Sequence, residues 1–345
     1  GNWSTTTGNI TTLHGADAVP DSPATVLNNV FKMAGLFTTR ALGGDVFINF
    51  HSNVEDNNTG TVNITGDALT ITDLTDNGAG LKMANFGVGG DNIELDVNSI
   101  TVTGGVVGSF VITSVAGDLH VAQTTTQNGP FSVTLLGANA TLFLDGNITV
   151  AENFSFLAQA PTVRVGAQVN VDSDGSNAVE ALFRGDEIDF TSGNNDVVRH
   201  NDSDADGGGI QTLRLEPFTV GTDIEIGGDT LTAQLNLDDA DLNSIGQRVG
   251  GAANWDRVFI GRGDGTGTMT FTAARTFADP TVFLMEGAGG RFVVNGNLTN
   301  SQPVADATQP GGSTTVPGFE FLGSGGTTVL NANVTTAGTA IVYND

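Results

Sequence analysis

Short apolar runs of period two recur from one end of this chain to the other, and each is closed by a turn signal before it is long enough for a helix. Val46, Ile48 and Phe50 alternate with polar or neighbouring residues, as do Leu69 and Ile71, Ile93, Leu95 and Val97, Phe131, Val133 and Leu135, and Val163 and Val165. Val169 and Val171, Ile224 and Ile226, and Leu231, Ala233, Leu235 and Leu237 continue the pattern. Alternation places every second side chain on one face of a strand, so each run presents one apolar face to a core. Between the runs lie Gly43-Gly44, Asp76-Asn77-Gly78, Gly104-Gly105, Asp145-Gly146 and Gly227-Gly228-Asp229, residues that tolerate or favour tight turns.

At 345 residues the chain exceeds the size at which one compact core stops growing, which leaves two globular domains or an elongated repeat. The 48 glycines and the shortage of good helix formers favour the repeat. A phrase recurs at uneven intervals: Gly8-Asn-Ile-Thr11, Val62-Asn-Ile-Thr65, Gly146-Asn-Ile-Thr149, Gly296-Asn-Leu-Thr299 and Ala332-Asn-Val-Thr335. In each, Asn opens a turn, the next residue drops into the core and Thr returns to the surface. These features predict an all-β fold, a β-solenoid with coils of roughly 20 to 25 residues and loops of variable length.

Two stretches read as helix. In 21–34, an Asp21/Ser22 cap precedes Pro23, and Val26, Leu27, Val30, Phe31 and Ala34 share a face, which predicts a short helix capping the first coil. In 238–246, Asp caps lead into Leu242 and Ile245, which predicts a helical turn between strands. The expected organisation is an N-terminal cap and first strands over 1–45, then a continuous solenoid over 46–345. The acidic, glycine-rich stretch near 200–210 is the place where it would subdivide.

The runs Leu213 to Gly228, Leu235 to Ile245 and Val258 to Gly267 resemble a unit of large bacterial β-strand-repeat surface exoproteins, of the filamentous-haemagglutinin-like and autotransporter-passenger-like kinds. The opening Gly1-Asn-Trp-Ser-Thr-Thr6 and Val19-Pro-Asp21 resemble the start of such secreted segments. The better match covers residues 210–300. The resemblance implies a right-handed parallel β-helix, export, and an adhesive or scaffold role, and it carries over no catalytic residue.

Charge narrows the partners. Asp and Glu number 38 against 12 Lys and Arg, a formal net charge of −26 that repels nucleic acid and anionic membrane surfaces alike. With no cysteine, disulfides and thiolate metal sites are excluded. The sequence opens on Gly1 rather than Met and holds no long apolar segment, which reads as a secreted, cell-surface chain without membrane insertion.

Several stretches are candidate sites. Asp202, Asp204, Asp206 and Gly207 satisfy the start of a calcium loop, D-x-D-x-D-G, because alternate carboxylates can converge on one ion. The twelfth position, where a bidentate Glu is needed, is Leu213, and Glu216 comes too late, so a solvated acidic turn is the more economical reading. Asp172 and Asp174 form a shorter version. Arg262-Gly263-Asp264 spells an adhesion tripeptide within a glycine turn. Thr70/Thr72, Thr101/Thr103, Thr268/Thr270 and Thr270/Thr272 are Thr-x-Thr pairs of the kind that bind ice when stacked on a flat face. Asp186, Glu187 and Asp189 near Arg184 are the densest mixed-charge cluster, and His200 adjoins the acidic loop. No Gly-x-Ser-x-Gly or His-Glu-x-x-His is present. The sequence therefore predicts a non-catalytic extracellular rod, a filament subunit or adhesin stalk that pairs head to tail with copies of itself. The alternatives are a polysaccharide-binding or polysaccharide-degrading β-helix, with surface glycans as partner, and an ice-binding protein.

Overall fold

The computed structural model describes residues 2–5, 10–13, 31–32, 38–41, 46–49, 54–55, 62, 64–72, 92–103, 106–107, 110–115, 117–123, 126–127, 129–150, 154–172, 179–191, 198–201, 211–230, 235–245, 255–301 and 316–344. They group into two units, Gly1–Ala160 and Pro161–Asp345.

In the first unit, strands Asn2–Thr5, Thr38–Ala41, Ile64–Thr65, Ile93–Asp96, Phe110–Ser114, Phe131–Leu135 and Phe156–Gln159 form one parallel face. The strands that follow them in each coil, from Ile10–Leu13 to Thr141–Leu144, form a second parallel face. Val106–Val107, Thr126–Gln127 and Ile148–Val150 form a third. Among the described residues of this unit, each strand pairs with its counterpart one coil away and not with its sequence neighbour. That is the parallel β-helix, the β-solenoid expected from the turn-punctuated alternation.

The alternation sets what lies inside. Phe131, Val133 and Leu135 are fully buried, while Ser132 and Thr134 between them are not. Register places Phe110, Phe131 and Phe156 in one column. Their rings stack at 5.5 Å and 5.1 Å, interplanar angles 18° and 3°. Coil-on-coil stacking of like residues is how a parallel ladder converts sequence alternation into a continuous core.

The second unit has the same three faces. Its first face runs through Val179–Arg184, Gln211–Glu216, Arg257–Arg262, Thr281–Met285, Phe319–Gly323 and Ile341–Asn344. Coil length is not constant: Ile93 pairs with Ile112 in the first unit, whereas Leu213 pairs with Val258 in the second. The longest coil contributes two strands to the second face, Ile224–Ile226 and Leu235–Leu237, which pair with each other in parallel. Close approach of coils demands glycine at the turn: a Cβ on Gly296 would lie 1.9 Å from the carbonyl oxygen of Ala273.

The recurrent phrase enters a strand in every case, but on no single face. It opens the first-face strand Ile64–Thr65, the second-face strand Ile10–Leu13 and the third-face strands Ile148–Val150, Leu298–Asn300 and Val334–Thr336. Ile64, Ile148 and Leu298 are buried as expected. Where two copies stack, Asn333 N–H donates to Asn297 Oδ1 at 3.1 Å, and the Thr299 and Thr335 hydroxyls meet at 3.2 Å.

The second predicted helix is present as α1, Asp239–Ser244. Asp238 caps it, accepting from the amides of Ala240 and Asp241, and the Asp241 side chain accepts from Asp238 N–H in a reciprocal capping box. Leu242 and Ile245 are buried as the spacing predicts. Of the first predicted helix, residues 21–30 and 33–34 lie outside the described residues. Phe31–Lys32 are strand, paired in parallel with Val54–Glu55, so the ladder overrides the helical spacing there. No helix among the described residues is long and apolar enough to cross a membrane.

Candidate functional site

The acidic loop Asp202, Asp204 and Asp206 lies outside the described residues, but both downstream positions that could complete a calcium site are accounted for. Leu213 is a fully buried core residue of Gln211–Glu216. Glu216 is engaged by two arginines, with Arg184 Nη2 at 2.6 Å and Arg214 Nη1 at 3.4 Å. His200 is a backbone member of Val198–Asn201, in register with Val171. Asp174 lies outside the described residues.

The tripeptide Arg262-Gly263-Asp264 is closed on itself. Arg262 Nε and Nη2 donate to Asp264 at 2.7 Å and 3.0 Å, and Nη1 donates to the carbonyls of Phe218 and Pro217 at 2.8 Å and 3.2 Å. With its side chain 16% exposed, the guanidinium is a turn staple rather than a recognition group. The Thr-x-Thr pairs divide. Thr70 and Thr72 are register partners of Thr101 and Thr103, whereas Thr268 and Thr270 are in register with Arg291 and Val293. Among the described residues, no Thr rank continues on that face of the second unit.

The cluster around Arg184 separates into three. Asp186 accepts from Thr219 N–H, Thr219 Oγ1 and Thr222 Oγ1, all at 2.7 Å, and so fixes a turn. Arg184 turns to Glu216. Glu187 and Asp189 lie on the second face, where Asp189 faces Arg164 at 3.6 Å.

Glu187 belongs to a discontinuity that the sequence did not reveal. The second face of the second unit is two ladders, one ending at Glu187–Phe190 and the other beginning at Leu235–Leu237, which lies beside it. Side chains bridge the break. The Glu187 carboxylate accepts from Asn236 N–H, and Asp241 Oδ1 accepts from Phe190 N–H at 2.9 Å. Burial pushes the Glu187 carboxyl up to about 7, with Asp189 and Asp229 adding to the rise and the Asn236 amide and Arg164 opposing it. Burial likewise raises Asp241 to about 7, with Asp238 and Asp189 adding and the amides of Phe190 and Asp238 opposing.

Beside α1, Leu242, Ile245, Val258, Ile260, Arg275 and Phe277 line a small cleft of about 40 Å³. Arg275 donates to Asp239 at 3.0 Å and Asn243 at 2.8 Å, and so ties α1 to the third-face strand Arg275–Phe277. No cluster of three metal-ligating side chains occurs among the described residues.

The remaining feature is the last described coil. Register puts Leu330 over Val294, Ile341 over Phe319 and Tyr343 over Phe321. The inner members of these pairs are at most 1% exposed, but Leu330 is 49% and Tyr343 41% exposed. The Tyr343 ring stacks on Phe321 at 4.8 Å and 10°. Among the described residues, Ile341–Asn344 is the outermost strand of its ladder. Leu330 and Tyr343 are thus exposed residues in register with buried ones.

Comparison of the chain with protein-family models, with curated proteins and with solved structures finds no match.

Proposed function

We propose that the protein is a non-catalytic structural β-helix of the cell surface or extracellular matrix, which assembles by stacking the exposed face of its last described coil on the first coil of another copy. The observation that carries this reading is the exposure of core-type positions. Leu330 and Tyr343 stand where the preceding coil has buried residues, on strands at the outer edge of their ladders. Asn2–Thr5 is the outermost strand of the first face in the first unit, and parallel pairing joins such edges head to tail. A head-to-tail contact does not close, so it propagates as a filament. The charge of −26 suits a solvated surface polymer, and the exoprotein resemblance supports export.

Electron microscopy and light scattering of the purified chain across a concentration series test the proposal. Filaments or end-to-end oligomers are expected, and Ile341→Lys with Tyr343→Lys should abolish them while preserving the β circular-dichroism signal. A wild-type chain that stays monomeric at all concentrations, or a double variant that polymerises equally, overturns it.

A further inference from the structure

The break in the second face of the second unit points to a function for its two bridging carboxylates. Strand Glu187–Phe190 and the segment from Leu235 through α1 lie side by side without a backbone ladder between them. Two carboxylates hold them together from opposite sides, Glu187 on Asn236 N–H and Asp241 on Phe190 N–H. We propose that this seam is a proton-operated latch, closed when Glu187 and Asp241 are protonated and loosened, with the strand edge at 187–190 exposed, when both are ionised.

The charged groups around it come from every neighbouring element. Asp189 shares the strand with Glu187, and Asp229 precedes the inserted strand. Asp238, Asp239 and Asp241 lie on α1 and its cap. Glu225, in register with Asn236, is fully buried, and its carboxylate accepts from Thr230 and Thr272. Besides the bridging pair these are five carboxylates. Among the described residues, Arg164 pairs with Asp189 and opposes the rise at Glu187, and Arg275 pairs with Asp239. Ionising both bridging groups therefore places two more negative charges in a seam that already carries an excess of them.

A hydrogen-bond imbalance points the same way. Asn236 Oδ1 is buried without a donor, whereas an ionised Glu187 beside it offers acceptors only. Protonated Glu187 brings an O–H to the same residue and keeps one oxygen for Asn236 N–H. Burial favours the proton on both groups up to about pH 7. A carboxyl that holds its proton more tightly folded than unfolded stabilises the folded state most at acid pH, and that contribution is lost as pH rises to the folded value. The latch closes on acidification and loosens above neutrality.

Hydrogen exchange of the whole chain, corrected for intrinsic rates, tests this at pH 5.5 and pH 8. Peptides covering 187–191 and 235–245 are expected to lose protection by at least about tenfold at the higher pH, the effect of a closed seam that binds one proton about ten times more tightly than the open one. A peptide covering 131–144, in the first unit, serves as control. The double variant Glu187→Gln with Asp241→Asn should keep its protection at both values, and Glu187→Gln alone should keep part of it. Equal wild-type protection at both pH values, loss spread uniformly over the control peptide, or a folded variant with the wild-type pH response overturns the latch.

Discussion

Asp241 Oδ1 accepts the backbone N–H of Phe190 at 2.9 Å, so a helix carboxylate takes the place of a missing strand across 51 positions of sequence. Asp241 is 6% exposed, and burial raises its carboxyl to about 7 from an ordinary value of 3.8. Protons are therefore bound by the folded state and not by the unfolded one between those values, and stability falls as pH rises through that window, by at most about 1.4 kcal/mol per pH unit for this group. Asp241→Asn should flatten the melting-temperature profile between pH 4 and 7. A variant profile parallel to the wild type would remove Asp241 as its origin.

The cap of the same helix is separable from its charge. Asp238 accepts from two α1 amides, at 2.6 Å and 2.9 Å, and a helix of six residues has no reserve of its own. Asp238→Ala should cost about 1 kcal/mol in chemical denaturation, whereas Asp238→Asn, which still caps, should cost a fraction of that.

In the first unit the load is carried by shape. Phe131 is stacked between Phe110 and Phe156 and is fully buried. Phe131→Ala should cost about 3 to 5 kcal/mol, because coils on both sides lose a packing partner and a parallel ladder closes poorly over the void. Phe131→Leu should recover most of it in the same denaturation experiment.

Much of this was legible in the sequence because alternation is a local property. The columns through Val163, Val165, Val169 and Val171, and through Leu235 and Leu237, are buried as the period-two pattern requires. The α1 cap was legible for the same reason, since Asp238 and Asp241 act within one turn. What escaped is everything that depends on which coil lies next to which. Glu187 and Asp189 read as one cluster with Asp186 and Arg184, yet the turn sends Asp186 to Thr219 and Thr222 and the register sends Arg184 to Glu216. The ladder break could not be seen from periodicity, because Ile224–Ile226 and Leu235–Leu237 are ordinary strands that happen to belong to one coil. Phe31 read as part of a helical face, and its parallel pairing with Val54, which the local spacing could not reveal, makes it a strand residue instead.

Calcium should not act through Leu213 or Glu216. One is sealed in the core, and the other is held by Arg184 and Arg214, so an ion at Asp202, Asp204 and Asp206 would lack the bidentate ligand that gives such loops their affinity. The melting temperature should be the same in millimolar calcium and in chelator. A rise of several degrees with calcium would show that the loop finds other ligands.

The ion ladder on the first face of the second unit offers the sharpest contrast between an ion pair that stabilises and one that does not. Glu216, with its side chain 8% exposed, is shared by Arg184 in the preceding coil and Arg214 two residues away in its own strand. Arg214 also reaches Glu180 at 2.7 Å and lies over the Phe259 ring at 4.3 Å, so the guanidinium is held from three sides. Glu216→Gln keeps the shape but leaves two cations facing one another across adjacent coils. Full burial of such a broken pair costs about 3 to 5 kcal/mol, and the arginines, at 27% and 28% exposure, reduce that to about 1 to 3. Asp264 makes two equally short contacts with Arg262, but its side chain is 61% exposed and the pair spans a single turn. Asp264→Asn should change stability by less than about 0.5 kcal/mol. Chemical denaturation of the two variants side by side distinguishes the effects: equal losses would mean that burial, and not charge pairing between coils, is the wrong measure of what these arginines contribute.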